Sequence, residues 1–524
     1  MPAPAPAAPQ VVRWNQVPAP WTPATILRPA WHWLREAALP ATLRALLDGA
    51  TGAVALARPV FVSRYLSTYL SRRGTSLLFH GVSGAVDEIP THLARVLERR
   101  RDTGRPLVRG ELTDAEALAL LVRGHLTPLD PPAELARFER YVARLHGLSA
   151  AAEKSTLMLL PSYACNLRCP YCFETPTRKQ GAPATLRLMT EAFIDELFER
   201  VLPDAFGELE EGTEVRLYGG EPFLPAHLPV IRRVLGHAAR RRLRVSATTN
   251  GTLVHEALEC FGPGVGQIGS AQLSLDGPPA IHDRSRVAPG GPGTFERIVQ
   301  SAILLAGRGT KVGVRINVTA EVAGHLPALA EALRAREAFG VENLSCYCAA
   351  VSPVRGSDAR AFPELLTTAA LQEAMGRANL EDLLGSPLKQ TRDQVERLFR
   401  GAGTLETDRT CFCMLGRRES IAVDPAGDVY GCYKEAGDPD RRVGTITARG
   451  RLVMNERHAL YRRRTVSSFE PCRSCSIALF CGGGCARRAE DEHGTIFAEH
   501  CDSRKELVGR AIVEVHAQKC SATA

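Results

Sequence analysis

The sequence predicts an α/β protein built on a parallel sheet, and three observations predict it. From Ser155 onward, short apolar runs alternate with amphipathic helical stretches over roughly 195 residues. Turn-forming groups, such as Tyr218-Gly219-Gly220, Thr249-Asn250-Gly251 and Ser274-Leu275-Asp276-Gly277, follow the strands. Hydrophobic residues make up 45% and charged residues 23%, near globular averages, which excludes a mostly disordered, collagen-like or coiled-coil chain. The sheet is open or closed into a barrel, and in either form chemistry sits at the C-terminal strand ends.

Residues 1–58 are rich in Ala and Pro, with one helical patch near Trp31–Leu47, and read as an extension. Residues 59–150 read as a small α/β module. Tyr65–Arg72 and Ser76–Phe79 flank Gly74 as a hairpin, and a helix follows over Thr91–Arg101. Thr113-x-x-Glu116 is a capping box that opens a second helix, and a third covers Glu134–Leu145. A hairpin with helices resembles a winged-helix module; the other reading is a structural cap. Residues 151–352 hold the strands Thr156–Leu160, Glu214–Tyr218, Arg244–Thr248, Ala271–Leu275, Val312–Val318 and Leu344–Val351. Helices between them cover Thr190–Val201, Leu228–Arg240, Leu253–Phe261, Phe295–Gly307 and Leu326–Ala338. Residues 353–410 read as a helical linker, 411–505 as a Cys- and Gly-rich domain too poor in apolar residues for a large core, and 506–524 as a tail.

With 65 Lys and Arg against 57 Asp and Glu, the net charge of +8 is too small over 524 residues to argue for nucleic acid. No apolar run approaches the ~20 residues of a membrane span. The first residues lack the basic start and apolar stretch of a signal peptide. A cytoplasmic protein with no membrane partner is expected. Thiols stay reduced there, so the clustering of many of the 15 cysteines points to metal or redox chemistry.

Cys165-x3-Cys169-x2-Cys172 lies on one loop just past the first strand. Three thiolates can hold three irons of a cubane and leave the fourth open, whereas a structural zinc site normally takes four protein ligands. This loop, with Tyr171 before its last cysteine, resembles the signature of radical S-adenosylmethionine (SAM) enzymes. The resemblance implies a partial (β/α)6 TIM-like barrel, a SAM-binding 4Fe–4S cluster on Cys165, Cys169 and Cys172, and reductive cleavage of SAM to a 5′-deoxyadenosyl radical. Gly219-Gly220-Glu221-Pro222 is similar to the family's GGEP motif. By the resemblance, Gly219 and Gly220 admit the ligand closely, Glu221 meets the methionine ammonium, and Ser274 and Arg286 contact SAM, as does Phe173. Arg286 suits the methionine carboxylate because its fork matches that geometry.

The second set runs Cys413-x13-Gly427-x4-Cys432, then Cys472-x2-Cys475-x5-Cys481-x3-Cys485 and, after a gap of fifteen residues, Cys501. Asp424-Pro425-Ala426-Gly427 reads as the tight turn of a hairpin leading to Cys432. The spacing resembles the SPASM extension of radical SAM enzymes, which implies two auxiliary 4Fe–4S clusters. Cys472, Cys475, Cys481 and Cys501 would hold one, and Cys413, Cys432 and Cys485 three corners of the other. The eighth ligand is Cys411, Cys346, Cys348 or none. A pair of zinc sites is the alternative. Cys260 and Cys520 read as incidental.

SPASM proteins mostly modify peptides, and the region before the first strand resembles that of ribosomal-peptide (RiPP) maturases, where a small module grips a leader by strand addition. The expected function is oxidative modification or crosslinking of a peptide or protein side chain, fed by a donor such as flavodoxin or ferredoxin. The alternatives are a radical SAM oxidoreductase acting on a small molecule and an enzyme like the anaerobic sulfatase-maturating enzymes. Those carry a catalytic Asp directly after the cysteine matching Cys432; here that position is Tyr433. The catalytic residue is left unassigned.

Overall fold

A computed structural model gives the structure and describes residues 12–13, 59–152, 155–172, 174, 187–291, 293–351, 366–399, 409–417 and 420–522. The rest of the 1–58 extension, residues 353–365 and 400–408 of the linker, and Phe173 lie outside the described residues, and the predicted helical linker carries the helices Thr368–Arg377 and Pro387–Phe399. The chain forms two units: one of Met1–Ala150, Gln390–Cys413 and Arg464–Ala524, the other of Ala151–Lys389 and Met414–Arg463.

The first unit holds β1 (Val12–Arg13), β2 (Phe61–Val62), β3 (Leu66–Leu70), β4 (Ser76–His80), β5 (Val86–Ile89) and β6 (Leu126–Thr127). The four-stranded sheet has the order β1-β5-β4-β3, and β2 pairs β6 separately. The predicted hairpin is β3–β4, antiparallel, with Gly74 at φ +78° in its turn. Strand β5 was not predicted. Its sequence Val-Asp-Glu-Ile is fully buried, and Asp87 and Glu88 obscure the apolar signal. Asp87 is tolerated because Arg123 Nε and His125 Nε2 stand 2.8 and 2.7 Å from its Oδ2. The predicted helices are Thr91–Thr103, Asp114–Arg123 and Pro131–Ala152. The second begins at the capping box: Glu116 N donates to Thr113 Oγ1 and Thr113 N to Glu116 Oε2. The third starts earlier than predicted, where Asp130 accepts from Ala133 N, and also runs on past Leu145 to Ala152.

Among the described residues, two cores hold this unit. Leu66, Leu78, Ile89, Leu93, Leu97, Leu120 and Leu126 form one. Tyr65, Phe138, Val142 and Leu145 join Val466, Phe469, Cys472 and Leu479 in the other. The Cys-rich segment from Arg464 therefore packs directly on the N-terminal module. Tyr65 donates its hydroxyl to Arg473 O at 2.9 Å, and a Cβ on Gly81 would sit 1.5 Å from Ser476 O.

The second unit carries the predicted strands as β7 (Thr156–Leu159), β8 (Glu214–Leu217), β9 (Arg244–Thr248), β10 (Ile268–Leu275), β11 (Lys311–Val318) and β12 (Leu344–Ala350). All neighbours in this series pair in parallel. Along β11, Val312, Val314, Ile316 and Val318 are buried while Gly313, Arg315 and Asn317 are half-buried. This period of two gives the sheet one apolar face for helices and one polar face. The helix Phe295–Gly307 answers the apolar face with Ile298, Val299, Ala302 and Leu305. Two predicted helices differ in form. Residues 191–206 pass through a π turn at Leu197–Val201, and Val254–Cys260 is 3-10, with a non-helical Ala257 at φ −131°.

The sheet does not close on itself. Beyond β7 it continues through β13 (Ile421–Val423), β14 (Asp428–Tyr430), β15 (Arg442–Ile446) and β16 (Leu452–Met454). Strand β13 lies parallel to β7, pairing Ile421 with Leu157, and the next three strands are antiparallel. The predicted hairpin turn is β13–β14, where Asp424 Oδ1 accepts from Ala426 N and Asp428 N at 2.8 and 2.9 Å. Among the described residues, no helix is long and apolar enough to cross a membrane.

Candidate functional site

The polar face and the C-terminal strand ends of the second unit line an open cavity. All six parallel strands contribute. Cys165, Cys169 and Cys172 come from the loop after β7, and Gly219 and Gly220 from the turn after β8. Thr248, Thr249 and Asn250 close β9. Ser274 on β10, Asn317 on β11 and Val351 after β12 complete the wall, with Arg286 beyond them.

The thiol loop is held from both sides. Cys165 Sγ accepts from Leu167 N at 3.4 Å and from Asn250 Nδ2 at 3.9 Å, and Asn250 Nδ2 also donates to Asn166 Oδ1 at 2.8 Å. N–H donors aimed at sulfur are the outer support that suits a metal ligand. The glycine turn is tied to the same loop: Glu221 N donates to Ala164 O at 2.8 Å. A Cβ on Gly220 would fall 2.0 Å from that oxygen, and Gly220 adopts φ +45°. Only glycine fits this approach.

Arg286 is 8% exposed. Its Nη1 donates to the Tyr171 hydroxyl at 2.9 Å and stands 3.8 Å from Asp276 Oδ1. The Tyr171 hydroxyl in turn donates to Asp276 Oδ2, and Asn317 Nδ2 donates to Asp276 Oδ1 at 3.0 Å. Asp276 is fixed from behind by His282, whose Nδ1 accepts Asp276 N at 3.2 Å, so its Nε2–H points at Thr294 Oγ1, 3.1 Å away. Burial, with Arg286 nearby, pushes this imidazole down to about 3. Arg286 Nε is buried with no hydrogen-bond partner among the described residues. An orphaned guanidinium donor, three thiols and a glycine turn that a methyl group would block fit a cluster-bound, carboxylate-bearing ligand in this cavity.

Glu221 behaves differently from its sequence reading. It is fully buried and stands in the wall rather than on the cavity. Oε1 accepts from Thr249 Oγ1 at 2.7 Å and Phe223 N at 3.1 Å, and Oε2 from Asn250 N at 2.8 Å. Burial raises its pKa, and those three bonds oppose the shift. Its carboxylate ties two strand-end turns together. The carboxylate that does line the cavity is Glu174, which accepts Gly220 N at 2.8 Å.

Sequence reasoning passed over Glu174, Gln272, Tyr218 and Lys434 as cavity residues. Gln272 was legible, because it lies two residues before Ser274 on one strand and so on the same face. Tyr218 and Tyr433 were not. Their rings meet at 4.3 Å with a 39° tilt, both on the cavity wall, across a long sequence gap.

In the first unit, Cys472, Cys475, Cys481 and Cys501 stand together. Burial, and then the neighbouring thiols Cys475, Cys481 and Cys501, push the Cys472 thiol up. Cys413 and Cys485 belong to this unit, while Cys432 belongs to the other. Cys411 is buried and turns its thiol to Cys413 O. Cys346 and Cys348 sit on β12, where burial raises the Cys346 thiol to about 11 and Cys348 further. Cys520 lies within 3.7 Å of His516 Nε2.

Residues 159–325 match the family described as the Radical SAM superfamily. A cysteine-type anaerobic sulfatase-maturating enzyme of Clostridium perfringens is 24% identical over 372 residues, 67% of this chain and 95% of the relative. Mycofactocin maturase MftC of Mycobacterium ulcerans is 27% identical over 340 residues, 62% of this chain and 80% of the relative. A solved structure of native anSMEcpe with bound AdoMet and Kp18Cys peptide covers 70% of this chain and 99% of its own, at a TM-score of 0.51 and 20% identity.

Proposed function

Because this chain is a radical SAM enzyme, we propose that it is a peptide maturase that oxidises or crosslinks a side chain of a peptide or protein substrate. The observation that carries the reading is a cavity lined by the thiol loop, the Gly219-Gly220 turn, Ser274 and Arg286 together with Tyr218 and Tyr433. Bound there, a 4Fe–4S cluster and SAM supply a 5′-deoxyadenosyl radical. Cys165, Cys169 and Cys172 hold the cluster. Gly219 and Gly220 let the ligand approach, and Ser274 and Arg286 orient its carboxylate. The tyrosine pair leaves an aromatic wall for a substrate side chain.

Peptide substrates are supported by the maturase relatives, whose names describe modification of sulfatases and of mycofactocin. The N-terminal module, with an antiparallel meander β3–β4–β5 followed by helices, suits strand addition by a leader. The spacing of Cys472, Cys475, Cys481 and Cys501 and the crowding of their thiols support one auxiliary 4Fe–4S cluster. A flavodoxin or ferredoxin is the expected donor. Tyr433, at the position of the sulfatase maturases' Asp, argues against formylglycine formation.

The test is anaerobic reconstitution with SAM and dithionite, on wild type and on a Cys165/Cys169/Cys172→Ala variant. Reductant-dependent 5′-deoxyadenosine from wild type only, with about four irons lost in the variant, is expected. Addition of a precursor peptide encoded beside the gene should then give a product about 2 Da lighter, the loss of two hydrogens. No 5′-deoxyadenosine would overturn the radical reading, and an unchanged peptide mass with active enzyme would overturn the maturase reading.

A further inference from the structure

Arg464 is 1% exposed, among the most buried large side chains of the chain. Its partners are backbone carbonyls. Nε donates to Ile496 O, and Nη2 donates to Gly483 O at 3.2 Å and to Ala498 O at 2.9 Å. The guanidinium carbon lies 5.0 Å over the Phe469 ring. Nη1 is buried with no hydrogen-bond partner among the described residues, and no carboxylate pairs with Arg464 among them. A guanidinium stays charged. A buried charge without a counter-charge is strongly unfavourable, and carbonyl dipoles alone do not neutralise it.

The counter-charge is missing, and the surroundings say what supplies it. A Cβ on Gly483 would lie 2.7 Å from Phe469 Cζ and 3.8 Å from the Cys472 sulfur. Gly483 O also accepts from His500 N at 3.3 Å, one residue before Cys501. The carbonyls that Arg464 grips thus belong to the turn after Cys481 and to the segment leading into Cys501. Gly482, Gly483 and Gly484 all adopt φ of +75° to +78° there, and a Cβ on Gly484 would meet His500 O at 2.0 Å. The arginine fixes the two segments that carry two of the four clustered thiols. A 4Fe–4S centre on four thiolates is a net anion.

We propose that Arg464 is the charge partner and positioning residue of an iron–sulfur cluster held by Cys472, Cys475, Cys481 and Cys501. This inference rests on the auxiliary-cluster reading above. Removing the cation withdraws a positive charge from beside the cluster. Reduction adds a negative charge, so the reduced form loses more and the midpoint potential falls. Arg464 touches neither substrate nor SAM in this account.

The experiment uses full-length protein with Cys165, Cys169 and Cys172 replaced by Ala, so that the SAM cluster is silent. Iron content and an EPR redox titration are measured for this parent, for Arg464→Gln, for Arg464→Lys and for Cys472/Cys475/Cys481/Cys501→Ala. Loss of about four irons in the four-cysteine variant establishes the cluster; no loss sinks the cluster reading regardless of Arg464. With the cluster established, Arg464→Gln is expected either to lose the same irons or to keep them at a lower midpoint potential. Arg464→Lys, which retains the charge, is expected to keep both iron and potential. Full iron and an unchanged potential in Arg464→Gln would overturn the inference. Should the Gln variant not fold, the Lys variant decides: parental iron and potential support the charge role, and loss of the cluster from folded Lys protein overturns it.

Discussion

Gly220→Ala is the sharpest probe of the active cavity. The added methyl would sit 2.0 Å from Ala164 O, so the two must part by about 1.4 Å to reach ordinary contact. That oxygen cannot move freely, because it accepts Glu221 N at 2.8 Å and belongs to the residue before Cys165. Losing the bond costs about 1 kcal/mol, overpacking about 1–3 kcal/mol, and a non-glycine residue at φ +45° about 1–2 kcal/mol. The expected destabilisation is about 3–6 kcal/mol. A displacement of about 1 Å in a positioned reacting group is worth about 10²-fold in rate. The control is Gly290→Ala in the same unit. Gly290 has φ +62° but open space where its Cβ would go, so it bears the backbone term alone. Denaturant unfolding, iron content and 5′-deoxyadenosine formation are measured for both. Gly220→Ala should fall on all three, and Gly290→Ala should lose about 1 kcal/mol of stability with iron and rate intact. Equal behaviour of the two would refute the close approach of turn and thiol loop.

Glu221→Gln and Arg286→Met separate wall from cavity. The amide of Gln cannot accept both Thr249 Oγ1 and Asn250 N, so stability should fall by about 1–3 kcal/mol while SAM affinity, read by EPR perturbation of the cluster, changes less than about tenfold. Arg286→Met should weaken SAM by more than about tenfold; the reverse order would restore Glu221 as the ligand-facing group. His282 gives a pH test. Its folded pKa of about 3 lies below its unfolded value near 6.5, so unfolded chain takes up the proton first and stability drops as pH falls from 6.5 towards 3. The slope is about 1.4 kcal/mol per pH unit for this group. His282→Gln should remove that portion of the slope, and an unchanged slope would show that the imidazole is not held neutral.

Much of the fold was legible because local signals agreed with the tertiary result. The six strands were found to within a few residues, since each is an apolar run between turn residues, and the Thr113 capping box starts its helix as written. The Asp424–Gly427 turn was also legible, because an Asx turn is made by its own residues. The failures share one cause. Strand β5 hid behind Asp87 and Glu88, which are tolerable in a core only because Arg123 and His125 reach Asp87 and Thr75 and His516 reach Glu88 from elsewhere in the chain. That β13 extends the sheet at β7 depends on a pairing between Ile421 and Leu157, which no local pattern encodes.

Sequence alone determined the chemistry on offer: thiols at fixed spacing on one loop, a glycine pair after one strand, and a period of two that gives the sheet a polar face. These are covalent and short-range facts, fixed by chain order and backbone sterics. Tertiary structure decided which groups meet. It turned the Glu221 carboxylate into the wall and Glu174 onto the cavity, brought the Tyr218 ring against that of Tyr433, and buried Arg464 near clustered thiols with no carboxylate partner among the described residues. Direction, burial and charge pairing depend on what packs from distant segments, and only the folded chain brings those segments together.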